Sequence, residues 1–575
     1  MSARYADSGW MYTTSSAILE ALSEAGVEFI FANFGSDHPG LIEAIAQARA
    51  TGKPGPRVVT CPTEMVAMSA AHGYAQTTGR AQAVLVHVDC GTQALGGAVH
   101  NAAKGRVPVF ILAGLSPVTQ DAEARGSRNE FIQWMQDVPD QRGLVRGYVR
   151  YENEIRHGAN AKQIVHRALQ FAHSAPRGPV YVTAAREVLE QEVPRVPIDA
   201  RQWRPVAAAA MNAESVEQIV QALIDAENPL VVTSYLGRSP AAVAELAGMA
   251  EQLGVGVLES VPSYVNFPAT HECYLGVQWN ERRQNAALAQ ADVVLVIDSD
   301  VPWIGAVSRP RAGARIFHID ADPLKAQMTL WYIGATTQCA ADATVALRQI
   351  RAAASRLSTE RLAQRRARLA AAHELWESEI ERHEQIPATG LSAEYLVARI
   401  RAAIGDDAIV VSEAVTNFHV VSQHLRRTRP GTLFSSGGGS LGYNGGAALG
   451  VKLARPDALV VSICGDGSYL FSQPSVVHWM ARRYETPFLQ VVLNNGGWRA
   501  PRQAVLSVHP DGIAATAPNI DIDFPQPPDY GGIAAAAGGA HVEVVKTAAE
   551  VDTALARALR AIRAERRAAV IDAQV

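Results

Sequence analysis

Two short stretches late in the chain carry residue types suited to holding a divalent cation against phosphate. The first, Val460-Val-Ser-Ile-Cys-Gly465-Asp466-Gly467, reads as a buried strand ending in a glycine-flanked aspartate. The second, Asn494-Asn495-Gly496-Gly497-Trp498, follows after 26 intervening residues, behind the apolar run 488–493. In an α/β fold both strand ends reach the carboxyl edge of a sheet, where such folds place ligands. Carboxylate, side-chain amide oxygen and backbone carbonyl are hard donors, the set that Mg2+ or Ca2+ accepts when phosphate oxygens complete the shell. The plain alternative is a pair of tight strand-end turns, since Gly, Asp and Asn are ordinary turn residues.

Three other stretches offer chemistry. Thr432-Leu-Phe-Ser-Ser-Gly437-Gly438-Gly439-Ser440-Leu441-Gly442-Tyr443 satisfies GxGxxG at Gly437, Gly439 and Gly442, a dinucleotide-binding pattern. The acidic residue that this pattern needs about 20 residues on would be Asp457, which stands beside Pro456 in a turn. Upstream, Cys61-Pro-Thr-Glu64-Met-Val-Ala-Met-Ser-Ala-Ala-His72-Gly73-Tyr74-Ala75 sets a carboxylate at a helix start, ordinarily a cap or dipole partner. Trp498-Arg499-Ala-Pro501-Arg502 puts two arginines just past the asparagine pair, where they suit a carboxylate or the phosphates of an acyl-CoA, or are plain surface charge. The stretch through His509 to Asn519 that follows is a candidate cover for the pocket.

These residues need rigid elements to position them. Over 14–187 amphipathic helices (15–25, 41–49, 65–77, 93–104) alternate with short apolar strands (28–31, 57–60, 83–87, 107–112, 179–183), the pattern of a doubly wound parallel sheet. A Pro-bearing stretch, 190–213, reads as a linker. A second α/β unit has strands at 229–233, 256–259, 293–298 and 315–320, apolar on both faces as a covered sheet requires. The Arg-, Glu- and Ala-rich stretch 351–385 reads as a solvated helical connector. A third unit has strands at 408–412, 458–464 and 488–493. The expected fold is therefore α/β, with three doubly wound parallel-sheet domains at 1–188, 213–350 and 391–575 and a connector at 351–390.

Composition agrees with that size. At about 100 to 200 residues per domain, 575 residues make three or four domains and exclude a small binding module. Hydrophobic residues at 48%, charged residues at 19% and 45 Gly with 30 Pro exclude disordered and collagenous chains. A net charge of -4 offers no long-range attraction to nucleic acid or anionic membrane, so a phosphate-bearing ligand must be held locally. The five cysteines lie far apart without a CxxC pair and read as reduced core thiols. No leader-like start and no membrane-length apolar run is present, which predicts a cytoplasmic protein.

The order Glu64 with its Gly73-Tyr74-Ala75, the glycine-rich turn, then Gly465-Asp466-Gly467 and Asn494-Asn495 resembles thiamine diphosphate (ThDP) enzymes of the acetolactate synthase and 2-keto acid decarboxylase group. Arg177-Gly-Pro-Val-Tyr-Val182 and His318-Ile-Asp-Ala-Asp-Pro323 resemble that family's domain-end segments, so the resemblance spans almost the whole chain. It implies a pyrimidine-binding, a central and a diphosphate-binding domain. Asp466, Asn495 and the Gly497 carbonyl would hold Mg2+ against the diphosphate, with Gly439, Ser440, Gly465, Gly467, Ser468 and Trp498 also around the cofactor. Leu441 would wedge between its two rings, and Glu64 would contact the aminopyrimidine and help activate the thiazolium. The pyrimidine-binding unit of one chain would face the diphosphate-binding unit of another, giving a homodimer or homotetramer.

Within that group, Val86-His87-Val-Asp89-Cys-Gly91-Thr92-Gln93 resembles the benzoylformate decarboxylase segment in which a histidine precedes a Gly-Thr turn. His87 would face the reacting carbonyl and move protons near neutral pH, with Gln93 a further substrate contact beside Arg499 and Arg502. Asn33-Phe-Gly35-Ser36-Asp37-His38 aligns with that family's strand-to-helix turn, which puts Ser36 and Asp37 near the pocket unless they only cap the helix beginning near Pro39. The GMHG-like stretch of FAD-binding acetolactate synthases is replaced by Tyr274-Leu-Gly-Val-Gln-Trp279, which speaks against FAD. With the Trp-Arg segment and Asn129-Glu-Phe-Ile-Gln-Trp134, this looks most like bacterial 2-hydroxyacyl-CoA lyases, with 2-keto acid decarboxylase and acetolactate synthase chemistry as alternatives. ADP or CoA in the central domain, around Gly237 and Asp298, is a further expectation. An NAD-dependent oxidoreductase would rest on the three glycines alone, and a non-catalytic scaffold would lack Glu64.

Overall fold

A computed structural model describes residues 11–575, apart from Pro54, Glu281, Tyr332, Ser355, Arg356, Pro518 and Asn519. Three six-stranded, all-parallel sheets form in chain order. The first comprises β1 (Phe29–Ala32), β2 (Arg57–Thr60), β3 (Ala83–Val86), β4 (Phe110–Leu115), β5 (Tyr151–Ile155) and β6 (Val180–Ala185), in the order β2-β1-β3-β4-β6-β5. The second comprises β7 (Pro229–Thr233), β8 (Gly256–Ser260), β9 (Tyr274–Gln278), β10 (Val293–Ile297), β11 (Arg315–Asp320) and β12 (Thr337–Ala340), in the order β12-β11-β10-β7-β8-β9. The third comprises β13 (Ile409–Glu413), β14 (Leu433–Ser435), β15 (Val460–Gly465), β16 (Leu489–Asn494), β17 (His541–Val545) and β18 (Ala569–Gln574), in the order β14-β13-β15-β16-β18-β17. The first and third sheets thus share one topology, whereas the second, read from its other edge, has the 3-2-1-4-5-6 order of dinucleotide-binding folds.

The chain divides into two compact units. One holds the described residues up to Val206 with Ser436–Asp457 and Tyr469–Thr486; the other holds Ala207–Ser435, Ala458–Ser468 and Pro487–Val575. In the first unit the helix Glu64–Thr78 lies against the helix Tyr443–Ala454. Only small residues permit that approach: a Cβ on Gly73 would lie 2.7 Å from the Ala447 Cα, and one on Gly446 would lie 2.7 Å from the Ser69 Cβ. In the second unit the central strands of both sheets are apolar and β-branched, as in Val-Val-Leu-Val-Ile at β10, all five residues buried. Register then sets the carboxyl edge of the third sheet. Gly465 of β15 pairs with Leu493 of β16, so Asp466 and Asn494 leave the sheet side by side.

Several expectations need correction. The segment after β3 is helical from Val88, not from residue 93: helices run Val88–Ala94 and Gly96–Lys104, so Gly91 and Thr92 lie within a helix and form no turn. Thr92 helps to hold it by donating its hydroxyl to the Val88 carbonyl at 2.6 Å. The stretch expected to be a solvated helical connector does hold a helix, Thr359–His383, of which only Arg365, His373 and Ile380 are buried. Its Arg365 is buried and donates to the Leu253, Leu223 and Ile224 carbonyls, because those helix-end acceptors have no other partner in reach. Ser355 and Arg356 of that stretch lie outside the described residues. Of the five cysteines four are buried, but Cys90 is exposed on the helix Val88–Ala94. No helix among the described residues is long and apolar enough to cross a membrane.

Candidate functional site

In the first unit the candidate residues gather at the carboxyl edge of β1, β3 and β4. Glu64 opens its helix behind Thr63, whose side chain makes no capping bond. The Glu64 Oε1 accepts from the Asn33 Nδ2 at 2.8 Å, and burial pushes its carboxyl above the ordinary range. Gly91 comes close enough that an added Cβ would lie 3.1 Å from the Glu64 Oε1.

Asp37 and His87 form a dyad. The His87 Nδ1 lies 2.5 Å from the Asp37 Oδ1, and the Val88 N–H donates to the Asp37 Oδ2 at 3.2 Å. Asp37 is only 2% exposed, and its partners hold it below the usual carboxylate range despite burial. The hydrogen bond from Asp37 raises the His87 pKa above its ordinary value. Val88 has φ +30, a strained conformation for a β-branched residue, and its amide is one that Asp37 binds. Gly35 and Gly114 make room for the dyad, because a Cβ on either would run into the His87 ring or the Asp37 carboxylate. Neither Ser36 nor Asp37 caps the next helix; its N-cap is His38, which makes no side-chain capping bond. Instead the His38 Nδ1 accepts from the Gly35 N–H at 3.0 Å. Gln93 is exposed, turned toward Asp89 at 3.4 Å.

The glycine-rich turn also belongs to this unit. Asn101 clasps it, accepting from the Ser440 N–H at 3.0 Å and donating to the Ser440 carbonyl at 2.8 Å, while the Gly439 N–H donates to the His100 Nε2 at 3.2 Å. Leu441 is half-buried, so it is no core residue. Gly442, at φ +106, is the N-cap of the helix Tyr443–Ala454. Asp457 falls in a turn rather than at a strand end, where a dinucleotide site would need it.

In the second unit Asp466 is 2% exposed and accepts two backbone amides, Gly467 at 2.7 Å and Gly497 at 2.9 Å. Burial nevertheless pushes its carboxyl up, as expected of an anion whose full neutralisation is not supplied by amides. The Asn495 Oδ1 is buried and has no hydrogen-bond partner among the described residues. An unsatisfied buried acceptor beside a buried carboxylate is the donor chemistry that a hard divalent cation takes up, so the residues fit Mg2+. The Gly497 carbonyl accepts from the Arg499 N–H at 3.1 Å, which leaves it a second lone pair. Gly465 ends β15 with open space around its α-carbon; Gly467 packs on the Trp498 indole, 2.6 Å from an added Cβ to Nε1; Ser468 is buried.

Sequence reasoning missed the residues that hold this loop. Asn494 donates to the Asp572 Oδ1 at 2.9 Å and accepts from the Gly496 N–H at 3.2 Å, so the first asparagine shapes the turn that presents the second. A cleft of about 490 Å3 opens beside Asn495, with Thr416, Asn417, Arg499, Arg502 and the N-terminal turn of the helix Ala393–Ile404 on its walls. Thr416 and Asn417 come from the loop after β13, for which no motif was singled out. Arg499 spends its charge on Asp523 and donates to the Asn495 carbonyl at 3.0 Å. Among the described residues Arg502 reaches the Ala515 carbonyl alone, at 3.5 Å. The candidate cover contains the helices Arg499–Val508 and Ile513–Thr516, with Val508 and Ile513 exposed; Asn519 lies outside the described residues.

Gly237 and Asp298 sit after β7 and β10, the switch point of the second sheet, and both have partners from the chain. The Gly237 N–H donates to the Asn266 Oδ1 at 2.8 Å, and Arg238 pairs with Asp298 at 3.2 Å. The fully buried Lys325 lies 2.7 Å from Asp320 and 2.8 Å from Asp300. The segment that replaces GMHG is β9, and Trp279 after it stacks on Phe418 with ring centroids 4.1 Å apart.

Three domain families match in chain order: "Thiamine pyrophosphate enzyme, N-terminal TPP binding domain" over residues 12–144, the central domain over 216–350 and the C-terminal TPP binding domain over 414–573. A sulfoacetaldehyde acetyltransferase of Castellaniella defragrans is 24% identical, covering 97% of this chain and 92% of its own. A benzoylformate decarboxylase of Pseudomonas aeruginosa is 25% identical over 89% of this chain and 91% of its own. Among solved structures, a thiamine diphosphate-dependent 4-hydroxybenzoylformate decarboxylase of Rhodococcus jostii RHA1 superposes with a TM-score of 0.77 at 23% identity, covering 98% of this chain and 99% of its own.

The dyad carries a pH signature. His87 has a folded-state pKa above its unfolded value of about 6.5, so its contribution to stability is complete below that pH and is lost as pH rises through the folded value. The destabilisation of His87→Gln in denaturant unfolding is therefore expected to be largest between about pH 5 and 6.5 and to shrink above it. A cost that does not vary with pH would show that Asp37 does not hold a charged ring.

Proposed function

The chain belongs to the thiamine pyrophosphate enzymes, and on that premise we propose that it makes or breaks a carbon–carbon bond beside a carbonyl, using thiamine diphosphate and Mg2+. The observation that carries this reading is the unsatisfied Asn495 Oδ1 next to the buried Asp466, at the mouth of a cleft. Bound ThDP supplies a nucleophile and electron sink; the remaining work falls to the chain. Asp466, Asn495 and the Gly497 carbonyl hold the metal, with Gly465, Gly467, Ser468 and Trp498 shaping the turns around it and Thr416 and Asn417 added from the cleft. Glu64, its carboxyl pushed up by burial and steadied by Asn33, is placed to exchange a proton with the aminopyrimidine through a hydrogen bond. Gly439, Ser440 and Leu441 would contact the cofactor's rings. His87, oriented by Asp37, moves a proton at the substrate carbonyl, with Ser36 and Gln93 as lesser contacts.

Within that class we favour cleavage of a 2-hydroxyacyl-CoA to formyl-CoA and an aldehyde or ketone, or the reverse condensation. Arg502, whose guanidinium has only a carbonyl partner among the described residues, supports an anionic substrate; Arg499 adds less, being paired with Asp523. A second reading, decarboxylation of a 2-keto acid of the benzoylformate kind, is favoured by the Asp37–His87 dyad and by the similarity to a benzoylformate decarboxylase. Acetolactate synthase-like carboligation ranks behind both. The central crevice argues against an adenine nucleotide or FAD there, because Arg238, Asn266 and Lys325 already engage its polar groups. The reading includes a homodimer or homotetramer with active sites at subunit interfaces, and three domains at 1–188, 213–350 and 391–575.

A product screen of ThDP-loaded protein with pyruvate, benzoylformate and a 2-hydroxyacyl-CoA decides the subtype: formyl-CoA from the last alone supports the lyase, and CO2 from benzoylformate alone supports the second reading. Glu64→Gln is expected to bind ThDP in calorimetry about as the parent does while turnover falls by on the order of 100-fold; unchanged turnover would remove Glu64 from the mechanism. Asp466→Ala is expected to abolish Mg2+-dependent ThDP binding in the same calorimetry, and retained affinity would sink the metal assignment.

A further inference from the structure

Gln136 belongs to none of the motifs above, yet it sits directly on the dyad. It follows the short helix Ile132–Met135 and donates its backbone N–H to the Ile132 carbonyl at 2.8 Å. Its own carbonyl accepts from the Ser116 hydroxyl at 2.5 Å, and Ser116 is the buried residue that follows β4. One hydrogen bond thus ties Gln136 to the edge of the first sheet. Its side-chain oxygen lies 2.8 Å from the Nε2 of His87, on the opposite side of the ring from Asp37.

We infer that Gln136 is a positioning residue for His87: its side-chain amide holds the outer ring nitrogen, fixing the ring's orientation and matching whichever protonation state that nitrogen has. The inference rests on the proposed role of His87. With Asp37 at Nδ1 and an amide oxygen at Nε2, both ring nitrogens face acceptors, an arrangement that suits a ring carrying two protons. Half a turn of the amide would present NH2 to the Nε2 lone pair once that proton has left. A glutamine therefore serves the ring before and after proton transfer, whereas a carboxylate would serve only the charged form and a hydrocarbon neither.

The other charged or titratable groups facing the ring come from three elements. His38 lies beside Asp37, its Nε2 3.2 Å from Oδ2, with its ring centroid 6.4 Å from that of His87. Burial holds His38 below its ordinary pKa, so it adds no charge near neutrality. Asp89, on the helix Val88–Ala94, raises His87 further, and Glu64 faces it from the helix Glu64–Thr78. Asp137, next to Gln136, is paired with Arg128. The residues before Gln136 bring no charge, since Phe131, Trp134 and Met135 are exposed apolar side chains.

The test follows the histidine ring by NMR titration of histidine-labelled, full-length protein, with the His87 signal assigned by its loss in His87→Asn. The His87 midpoint is expected to rise in Gln136→Glu and to fall in Gln136→Leu, each by about one pH unit, while other histidines keep theirs. The pH profile of kcat should move in the same directions. Midpoints that stay put in both folded variants would overturn the inference. If the midpoints move but His87→Asn turns over like the parent, the positioning stands and the proton-transfer role of His87 falls, so the two failures are distinct.

Discussion

A buried carboxylate must be satisfied, and in this chain satisfying two of them shapes both candidate half-sites. An ionised carboxylate taken out of water costs several kcal/mol unless hydrogen bonds replace its hydration. Asp37 meets that cost with the Val88 amide and the His87 ring, and in doing so holds a strained turn that launches the helix Val88–Ala94. Asp466 meets it with the amides of Gly467 and Gly497, which draws the turn after β16 onto the end of β15. In each case the amides that stabilise the anion also fix where the neighbouring functional atom stands: the His87 ring in one unit, the Asn495 side chain in the other. The remaining shortfall differs. Asp37 has the His87 ring hydrogen-bonded to it, whereas Asp466 is hydrogen-bonded by amides and feels Arg499 only through its charge, and burial pushes its carboxyl up rather than down.

Topology explains why such residues can be supplied from so far apart in the chain. The first and third sheets share an order in which β1 and β13 lie between a sequential neighbour and the next strand but one. That reversal opens a crevice at the carboxyl edge, and the loops after β1 and β13 deliver Asp37 and Thr416 to it. The second sheet has the dinucleotide-binding order and the same kind of crevice after β7 and β10. There the chain places its own cation, Lys325, between Asp320 and Asp300, and its own amide, Asn266, on the Gly237 turn. Strand order alone therefore does not make a nucleotide site; the polar groups at the crevice must also be able to turn to a ligand.

What could be read from sequence follows the same division. Most central strands were legible because a sheet covered on both faces demands apolar runs, and β7, β10 and β11 have them; β18, interior in the third sheet but broken by Asp572, did not read as one. Edge strands carry polar residues on their open side, so Tyr-Glu-Asn-Glu-Ile at β5, Thr-Gln-Cys-Ala at β12 and His-Val-Glu-Val-Val at β17 did not read as strands. Asp466 and Asn495 were legible because register converts their spacing into adjacency. Gln136, Asn101 and Asp572 were not, since each acts through a contact made by tertiary packing and has no local pattern to betray it. Gly35 and Gly114 were invisible for a related reason: what they provide is the absence of a side chain where the His87 ring and the Asp37 carboxylate must fit.

Charge accounting sharpens the chemistry of the cleft. With a net charge of -4 the chain as a whole does not attract anions over long range, so attraction must come from individual groups. Arg499 is matched by Asp523, and its second role is mechanical, bracing the Asn495 carbonyl. Glu394 shares the cleft with the open N-terminal turn of the helix Ala393–Ile404, which offsets part of its charge. Arg502 forms no ion pair among the described residues and has one long contact to a carbonyl. A guanidinium left in that state beside a cleft favours a planar or tetrahedral oxyanion over a neutral carbonyl compound, because only the former makes paired charge-assisted hydrogen bonds. Arg502 is thus suited to a carboxylate or a phosphate, and on the proposed reading the part of the substrate that reacts needs a separate proton donor.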